Sequence, residues 1–272
     1  MIETVITAVA AYSLLEPYRL KIKELDCQSE KIPAGFSDRT VLFVSDIHCG
    51  VHFSLRRVRA LVEKMNILHP DIVIFGGDYI NKSGKMAPAL FREFKKVKAR
   101  IAKFGVMGNH DYHFAREETL KGMRDAGIKL LDDRGYWVKI GSDRIRIGGI
   151  KDPSSGEEGN ISKALNGVSD EDFRMIVAHN PIFAERIVPG TVDLLLSGHT
   201  HGGQIAPLSL FGNVISHGFG ARYCRRVLSR NGADVLVSSG IGMVYFPVRL
   251  MAKPEIVLIT LKSSGENKKA AQ

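Results

Sequence analysis

A chain of 272 residues that is 44% hydrophobic and 25% charged is not an intrinsically disordered one; it has the make-up of a folded protein with a sizeable core. The formal net charge of +9 favours anionic partners, but the Lys and Arg residues are spread out. Short clusters such as Lys95, Lys96, Lys98 and Arg100 read as a solvated helix face, so nucleic acid is a poor candidate partner. Cys27, Cys49 and Cys224 lie too far apart for a disulfide framework and suit a reducing, cytoplasmic compartment.

In chain order, the first element is the apolar run VITAVAAYSLL, residues 5–15, ended by Pro17. It falls short of the about 20 residues that a bilayer span takes. Glu3 precedes it where a secretion signal carries Lys or Arg. It is expected as a short helix that packs on its own domain or lies on an anionic membrane surface, with Arg19, Lys21 and Lys23 behind it. Residues 1–38 then form a helix and lead-in, 39–262 one domain, and the polar residues 263–272 a disordered tail.

TVLFVSD (40–46) reads as a strand ending at an acid, 54–68 as a helix, and DIVIFGGD (71–78) as the next strand. A basic amphipathic stretch (86–101) leads to FGVMGNHD (104–111). Strand alternating with helix implies a largely parallel sheet covered by helices. Short strands follow at 128–131, 136–140 and 143–150, then a polar loop at 154–160. RMIVAHNP (174–181) and VDLLLSGH (192–199) are strands ending in polar residues, and EIVLITL (255–261) closes the series. Two sheets packed together with helices outside is the simplest α/β architecture.

Five of these strands end in metal-competent side chains: Asp46 with His48, Asp78, Asn109 with His110 and Asp111, His179, and His199 with His201. Ligand sites in open α/β sheets gather at the carboxyl ends of strands. In LLLSGHTHGGQI, strand alternation would point His199 and His201 to one side. Taken singly, Asp46 and Asp78 could be helix N-caps and His179 a satisfied core histidine; the repetition is what points to metal. His52, His69, His113 and His217 have no motif support, and Cys49 reads as packing. Oxygen donors mixed with imidazoles, without thiolate, suit Mn²⁺ first and Fe or Zn²⁺ next. The ligands are too many for one ion and right for two. Two ions about 3.5–4 Å apart clamp the attacking and leaving oxygens of a phosphoryl displacement. A shared carboxylate would bridge them, and a water between them would lose a proton and become the nucleophile.

The blocks D-x-H, G-D, G-N-H-D, a lone His after a strand, and G-H-x-H run in that order from Asp46 to His201. They resemble those of the calcineurin-like metallophosphoesterase superfamily. GHTHGGQI, EPYRLKIKEL and SSGIGMVYFPVR with PEIVLITL are similar to a subgroup of membrane-associated bacterial phosphoesterases, some of which hydrolyse the pyrophosphate of UDP-2,3-diacylglucosamine. The resemblance implies a four-layer α/β/β/α sandwich with residues 39–262 as its catalytic domain. It implies that Asp46, His48 and His201 hold one divalent ion, that Asn109, His179 and His199 hold the other, and that Asp78 bridges both. His110 would face the phosphate and protonate the leaving oxygen, and Asp111 would orient His110. The implied reaction is hydrolysis of a phosphodiester or pyrophosphate, on a lipid-linked substrate at the cytoplasmic face of a membrane. The alternatives are a broad phosphodiesterase or nuclease acting on soluble nucleotides, and a non-catalytic metal-bearing scaffold, which has no need of His110. YFPVR (245–249) lines an apolar groove or packs in the core.

Overall fold

The apolar runs that end in acids form two sheets stacked face to face. In this computed structural model, residues 1–206, 223, 227–228 and 232–264 are described, without the side chains of Ile2, Val227 and Leu228. His217, Cys224 and residues 265–272, where the expected tail falls, lie outside the described residues. The first sheet runs β1 (Lys21–Ser29), β12 (Glu255–Ser263), β2 (Thr40–Val44), β3 (Ile72–Phe75), β4 (Ala102–Gly105) and β5 (Ile128–Leu130). The second runs β10 (Val227–Leu228), β11 (Asp234–Val237), β9 (Leu194–Ser197), β8 (Arg174–Ala178), β7 (Asp143–Ile150) and β6 (Arg134–Ile140). Neighbours pair in parallel except at β12–β2, β6–β7 and β10–β11.

Side chains two apart on each strand share a face, and this divides the core. Val41, Phe43, Ile72, Ile74 and Phe104 meet Ile145, Ile147, Met175, Val177, Leu194 and Leu196 between the sheets. The alternate residues Leu42, Val44, Val73 and Phe75 face α2 (Leu55–Ile67), α3 (Ala87–Phe94) and α5 (Arg116–Asp125). On the far side, Ile176, Ala178, Leu195 and Val235 are covered by α6 (Ile161–Ala164) and by Phe183 of a 3-10 turn. The order of layers is therefore α/β/β/α, with a thin outer layer on the second sheet.

Local rules explain the helices. In α2, Val58, Leu61, Val62 and Met65 are buried at the spacing of one helix face, and Pro70 lies just beyond its end. The amphipathic stretch 86–101 is helical only as α3, because Arg100 N and Ile101 N are already donating to Pro70 O and Asp71 O as β4 begins. One strand goes beyond the sequence reading: the lead-in contains β1, in parallel register with β12 from Lys21↔Glu255 to Ser29↔Ser263. Only Cys27 of β1 is deeply buried, as befits an edge strand.

The first helix, α1 (Ile2–Leu15), does not pack along the domain: residues 3–11 are exposed and only Tyr12 and Ser13 are partly covered. It is held at its C-terminal end. Arg249 N donates to Ser13 O at 3.0 Å. The buried Glu16 carboxylate accepts from Met251 N at 3.1 Å and Ala252 N at 2.7 Å. No helix among the described residues is long and apolar enough to cross a membrane.

Two outcomes follow for stability. A chain starting at Tyr12 should keep its unfolding midpoint within about 2 °C in a thermal melt, since exposed residues contribute under about 0.5 kcal/mol. Phe104→Ala, in the layer between the sheets, should cost about 3–5 kcal/mol in urea unfolding; a neutral result would mean that this layer is loosely packed.

Candidate metal centre

Where β2, β3 and β9 end, the chain turns sharply at a polar side chain. Asp46, His48, Asp78, His199 and His201 have φ of 54°, 46°, 54°, 69° and 53°. Such left-handed conformations cost a non-glycine residue of order 1 kcal/mol or more, and they persist only where neighbours over-determine them. Here the neighbours are backbone and carboxylates. Asp46 N donates to Gly77 O and His48 N to Asp78 O, both at 3.0 Å. The buried Asp111 carboxylate accepts from Asp78 N (2.8 Å), Gly108 N (2.9 Å) and Tyr79 N (3.0 Å). Asp46 accepts from His199 N at 3.0 and 3.1 Å, tying the first sheet's site loop to the second's.

These turns overturn one expectation. β9 stops at Ser197, so His199 and His201 do not follow strand alternation; their positive φ sends the rings into different groups. His201 Nε2 lies 3.1 Å from His48 Nε2 and 3.7 Å from Asp46 Oδ1. His199 Nδ1 lies 3.2 Å from His179 Nε2 and 3.0 Å from Asn109 Oδ1, which is 3.1 Å from His179 Nε2. Between the groups stands Asp78. One of its oxygens, Oδ2, is 3.4 Å from His48 Nε2 and 3.3 Å from His179 Nε2, while Oδ1 accepts from His110 N at 2.9 Å.

Asp46, His48, Asp78, His179, His199 and His201 are all buried. Donor atoms gather within 4.8 Å of one another in the sets Asp46–His48–His201, Asp78–His179–His199 and His48–Asp78–His110. The spacing fits a cation: bonds of about 2.1 Å meeting at right angles put their donors about 3.0 Å apart. Two nitrogens at such a distance in a dry site are otherwise poor neighbours.

The charges argue the same way. Burial raises Asp46 to about 6, with Asp78 adding to it. Burial pushes His48 down to about 3 and His201 well below the ordinary histidine value. Burial also opposes charge on Asp78 and His179, but their mutual attraction outweighs it, lowering Asp78 and raising His179. Carboxylates this deep stay charged at little cost only near neutralising cations.

His110 is half-buried, its ring 4.6 Å from that of His48, edge to face. Its orientation is a correction to the resemblance: His110 Nδ1 sits 2.6 Å from Asn81 O and makes no bond to Asp111. Asp111 is engaged by the amides of the Asp78 turn, and burial with the nearby Asp78 raises it well above the carboxylate range. His52 lies at the rim of a neighbouring groove, His113 Nδ1 contacts Asn109 O, and Cys49 packs in the core.

Two buried residues escaped the sequence reading. The Arg249 guanidinium reaches Gly242 O at 2.6 Å, Ala252 O at 2.7 Å and Ser239 O at 2.9 Å, with His201 Nδ1 at 3.4 Å. The Gln204 amide donates to Val244 O at 2.9 Å and accepts from Val244 N at 3.0 Å. Both brace the loop behind His201. The only signal was their place in GHTHGGQI and YFPVR, which spacing alone does not interpret.

Outside the clusters, the Asp132 carboxylate accepts from Met107 N and the Tyr112 hydroxyl, bracing the Asn109–Asp111 turn, and burial raises it to about 7. A carboxyl raised in the fold stabilises when protonated, and that advantage is lost as pH climbs from about 4 through 7. Over that window the wild type should lose up to about 4 kcal/mol relative to Asp132→Asn in urea unfolding. A constant difference would show that Asp132 does not titrate there. Gly77, at φ 90°, leaves a Cβ only 2.6 Å from Gly108 N and 2.9 Å from His179 Nδ1. Gly77→Ala should therefore displace the Asp78 turn and lower the bound-metal content measured by elemental analysis.

Comparison with known proteins agrees with this geometry. Residues 39–203 match the family model described as calcineurin-like phosphoesterase. The uncharacterized metallophosphoesterase YkuE of Bacillus subtilis is 31% identical over 92% of this chain and 88% of its own length. A transmembrane protein with metallophosphoesterase domain from Danio rerio is 29% identical over 96% of this chain and 62% of its own. Among solved structures, a 5'-nucleotidase precursor from Thermus thermophilus aligns with a TM-score of 0.51 at 15% identity, covering 86% of this chain and 58% of that one. The chain thus belongs to the calcineurin-like phosphoesterases, a family of hydrolases that work with a pair of metal ions.

Proposed function

We propose that the two clusters hold two divalent cations, Mn²⁺ first among them, and that the chain hydrolyses a phosphodiester or pyrophosphate bond of a lipid-linked substrate at a membrane. The observation that carries the reaction is Asp78 Oδ2, shared between His48 at 3.4 Å and His179 at 3.3 Å, with imidazoles on both sides. Asp46, His48 and His201 would hold one cation and Asn109, His179 and His199 the other, with Asp78 standing between the two sets. Such a pair supplies positive charge to the phosphoryl oxygens and makes a water acidic enough to attack at neutral pH. His110 points its ring at the same place. With Nδ1–H donating to Asn81 O, the doubly protonated ring can pass its Nε2 proton to a leaving oxygen and end as the neutral Nδ1–H tautomer. Asp111 serves the reaction indirectly, by holding the amides that set Asp78. A purely binding scaffold leaves His110 and its carbonyl partner without a purpose.

The lipid part of the reading rests on α1. Val5, Ile6, Val9, Leu14 and Leu15 are 59%, 63%, 43%, 52% and 62% exposed, so apolar side chains stand in solvent around most of the helix. A helix apolar on all sides belongs in a core or in lipid, and among the described residues this one has no core beside it. At about 21 Å long it suits one leaflet or the interface. Arg19 and Lys21 follow at headgroup level, and the positive-inside rule keeps them on the cytoplasmic face. The Danio rerio relative is by name a transmembrane protein. UDP-2,3-diacylglucosamine has the required chemistry: a pyrophosphate between a nucleotide and acyl chains.

Chelation should abolish hydrolysis of bis-p-nitrophenyl phosphate, and Mn²⁺ should restore more of it than Mg²⁺, which prefers an all-oxygen shell. Full activity after exhaustive chelation would overturn the two-metal reading. Asp78→Ala should lose metal and turnover together, whereas His110→Ala should keep the metals and lose roughly 10²–10⁴-fold in kcat. The full chain should co-sediment with phosphatidylglycerol vesicles, less so in high salt. The chain starting at Tyr12 should stay in the supernatant while still cleaving the soluble diester. Equal sedimentation of both would remove α1 as the anchor and, with it, the lipid assignment.

A further inference from the structure

A groove of about 560 Å³ is lined by Cys49, the chain neighbour of His48, and by Asn81, whose carbonyl meets His110. Its floor is Cys49 and Gly50, directly after His48, and its wall is Asn81 to Lys85, directly after the Asp78 turn. These segments are locked together: Cys49 bridges Ile80, and Asn81 N donates to Cys49 O at 3.2 Å. The same Asn81 offers its carbonyl to His110. The groove thus adjoins the His110 side of the metal clusters through Cys49 and Asn81.

The lining is largely apolar, from Val51, Met86 and Tyr245, and its charged members are basic. Lys82 and Lys85 line it, no Asp or Glu does, and neither lysine makes an ion pair among the described residues. Across from them stands Tyr245, 56% exposed and itself at φ 59°, a conformation a tyrosine adopts only when held. Gln204 does the holding through Val244 and Phe246, gripping the residue on either side of Tyr245. The Tyr245 ring centre is 5.8 Å from Lys82 Nζ, within reach of a cation–π attraction that keeps the ammonium over the groove. Both lysines are solvent-exposed and without an ion pair among the described residues, so their ammonium groups are free to meet an anion in the groove.

We infer that Lys82 and Lys85, with Tyr245 positioning Lys82, bind a second phosphate next to the one being cleaved, so that the substrate is a pyrophosphate rather than a simple phosphodiester. This rests on the phosphoesterase reading and narrows it: the scissile phosphate lies at the metal clusters, its neighbour lies on the lysines, and the remaining group leaves past Tyr245.

ADP and AMP test this, since they share base and ribose and differ by that one phosphate. In calorimetric titrations of Mn²⁺-loaded protein, ADP should bind at least about 10-fold more tightly than AMP, and a rise in salt should weaken ADP more. In the Lys82→Gln/Lys85→Gln double variant the preference should fall below about 3-fold. Tyr245→Ala should reduce it in part and Tyr245→Phe should retain it. Thermal melts and manganese content on the same samples show whether each variant is folded and loaded. The titrations repeated in EDTA read the lysines without the metals, and the ADP preference should persist there at lower affinity. Equal binding of ADP and AMP by the wild type, or a preference that survives in the double variant, overturns the groove assignment. Failure to bind manganese, with the ADP preference intact in EDTA, overturns the metal reading and leaves the groove standing.

Discussion

Everything at this site depends on two buried carboxylates that spend their hydrogen-bonding capacity on backbone amides. Asp111 collects Gly108 N, Asp78 N and Tyr79 N, and Asp46 collects His199 N. The turns they hold contain Asp78 and His199 at positive φ, which an isolated chain would leave. Hydrogen bonds to amides gain strength in a dry interior. They offset the strain and decide where four strand ends point, those of β2, β3, β4 and β9. Asp46 has a further part, since it also offers its oxygen to the cluster with His201. Position and chemistry are therefore bound into one side chain, and the site cannot be loosened at Asp46 without separating the two sheets' loops.

The second constraint is electrostatic. Burial opposes a charge on Asp46 and on His48 alike, moving one up to about 6 and the other down to about 3. Neutral imidazoles beside carboxylates form a donor set that divalent cations complete. Around this, Arg249 sits buried among backbone carbonyls, supplying fixed positive charge to the loop behind His201 without competing for its Nε2. The same loop, through Ser13 and Glu16, anchors α1 and, through Gln204, carries Tyr245. The exposed helix, the groove and the cluster of His201 thus hang on one short stretch of backbone.

The element types were legible because the core strands are buried on both faces and show as continuous apolar runs such as TVLFV and LLLS. β1 was not legible. As an edge strand with one deeply buried residue it has little hydrophobic signal, and its pairing with β12 is settled by contacts more than 230 residues away. The basic residues after Phe94 keep a helical pattern in sequence, but backbone pairing to Pro70 and Asp71 draws them out of α3.

By itself the sequence determined the donor types, their order and the strand ends that carry them, since apolar runs closing in Asp, Asn and His are local features. It also determined that α1 is apolar and short. The family resemblance of its motifs also assigns His199 and His201 to different ions; only the tertiary structure shows how two residues so close part company, since positive φ at both breaks the strand geometry that would have kept them together. It alone gave His110 to the Asn81 carbonyl and Asp111 to the Asp78 turn, since both depend on loops from different strands meeting. And it left α1 standing clear of the domain while placing Lys82, Lys85 and Tyr245 around one groove, because burial and proximity are properties of the packed chain, not of any segment in it.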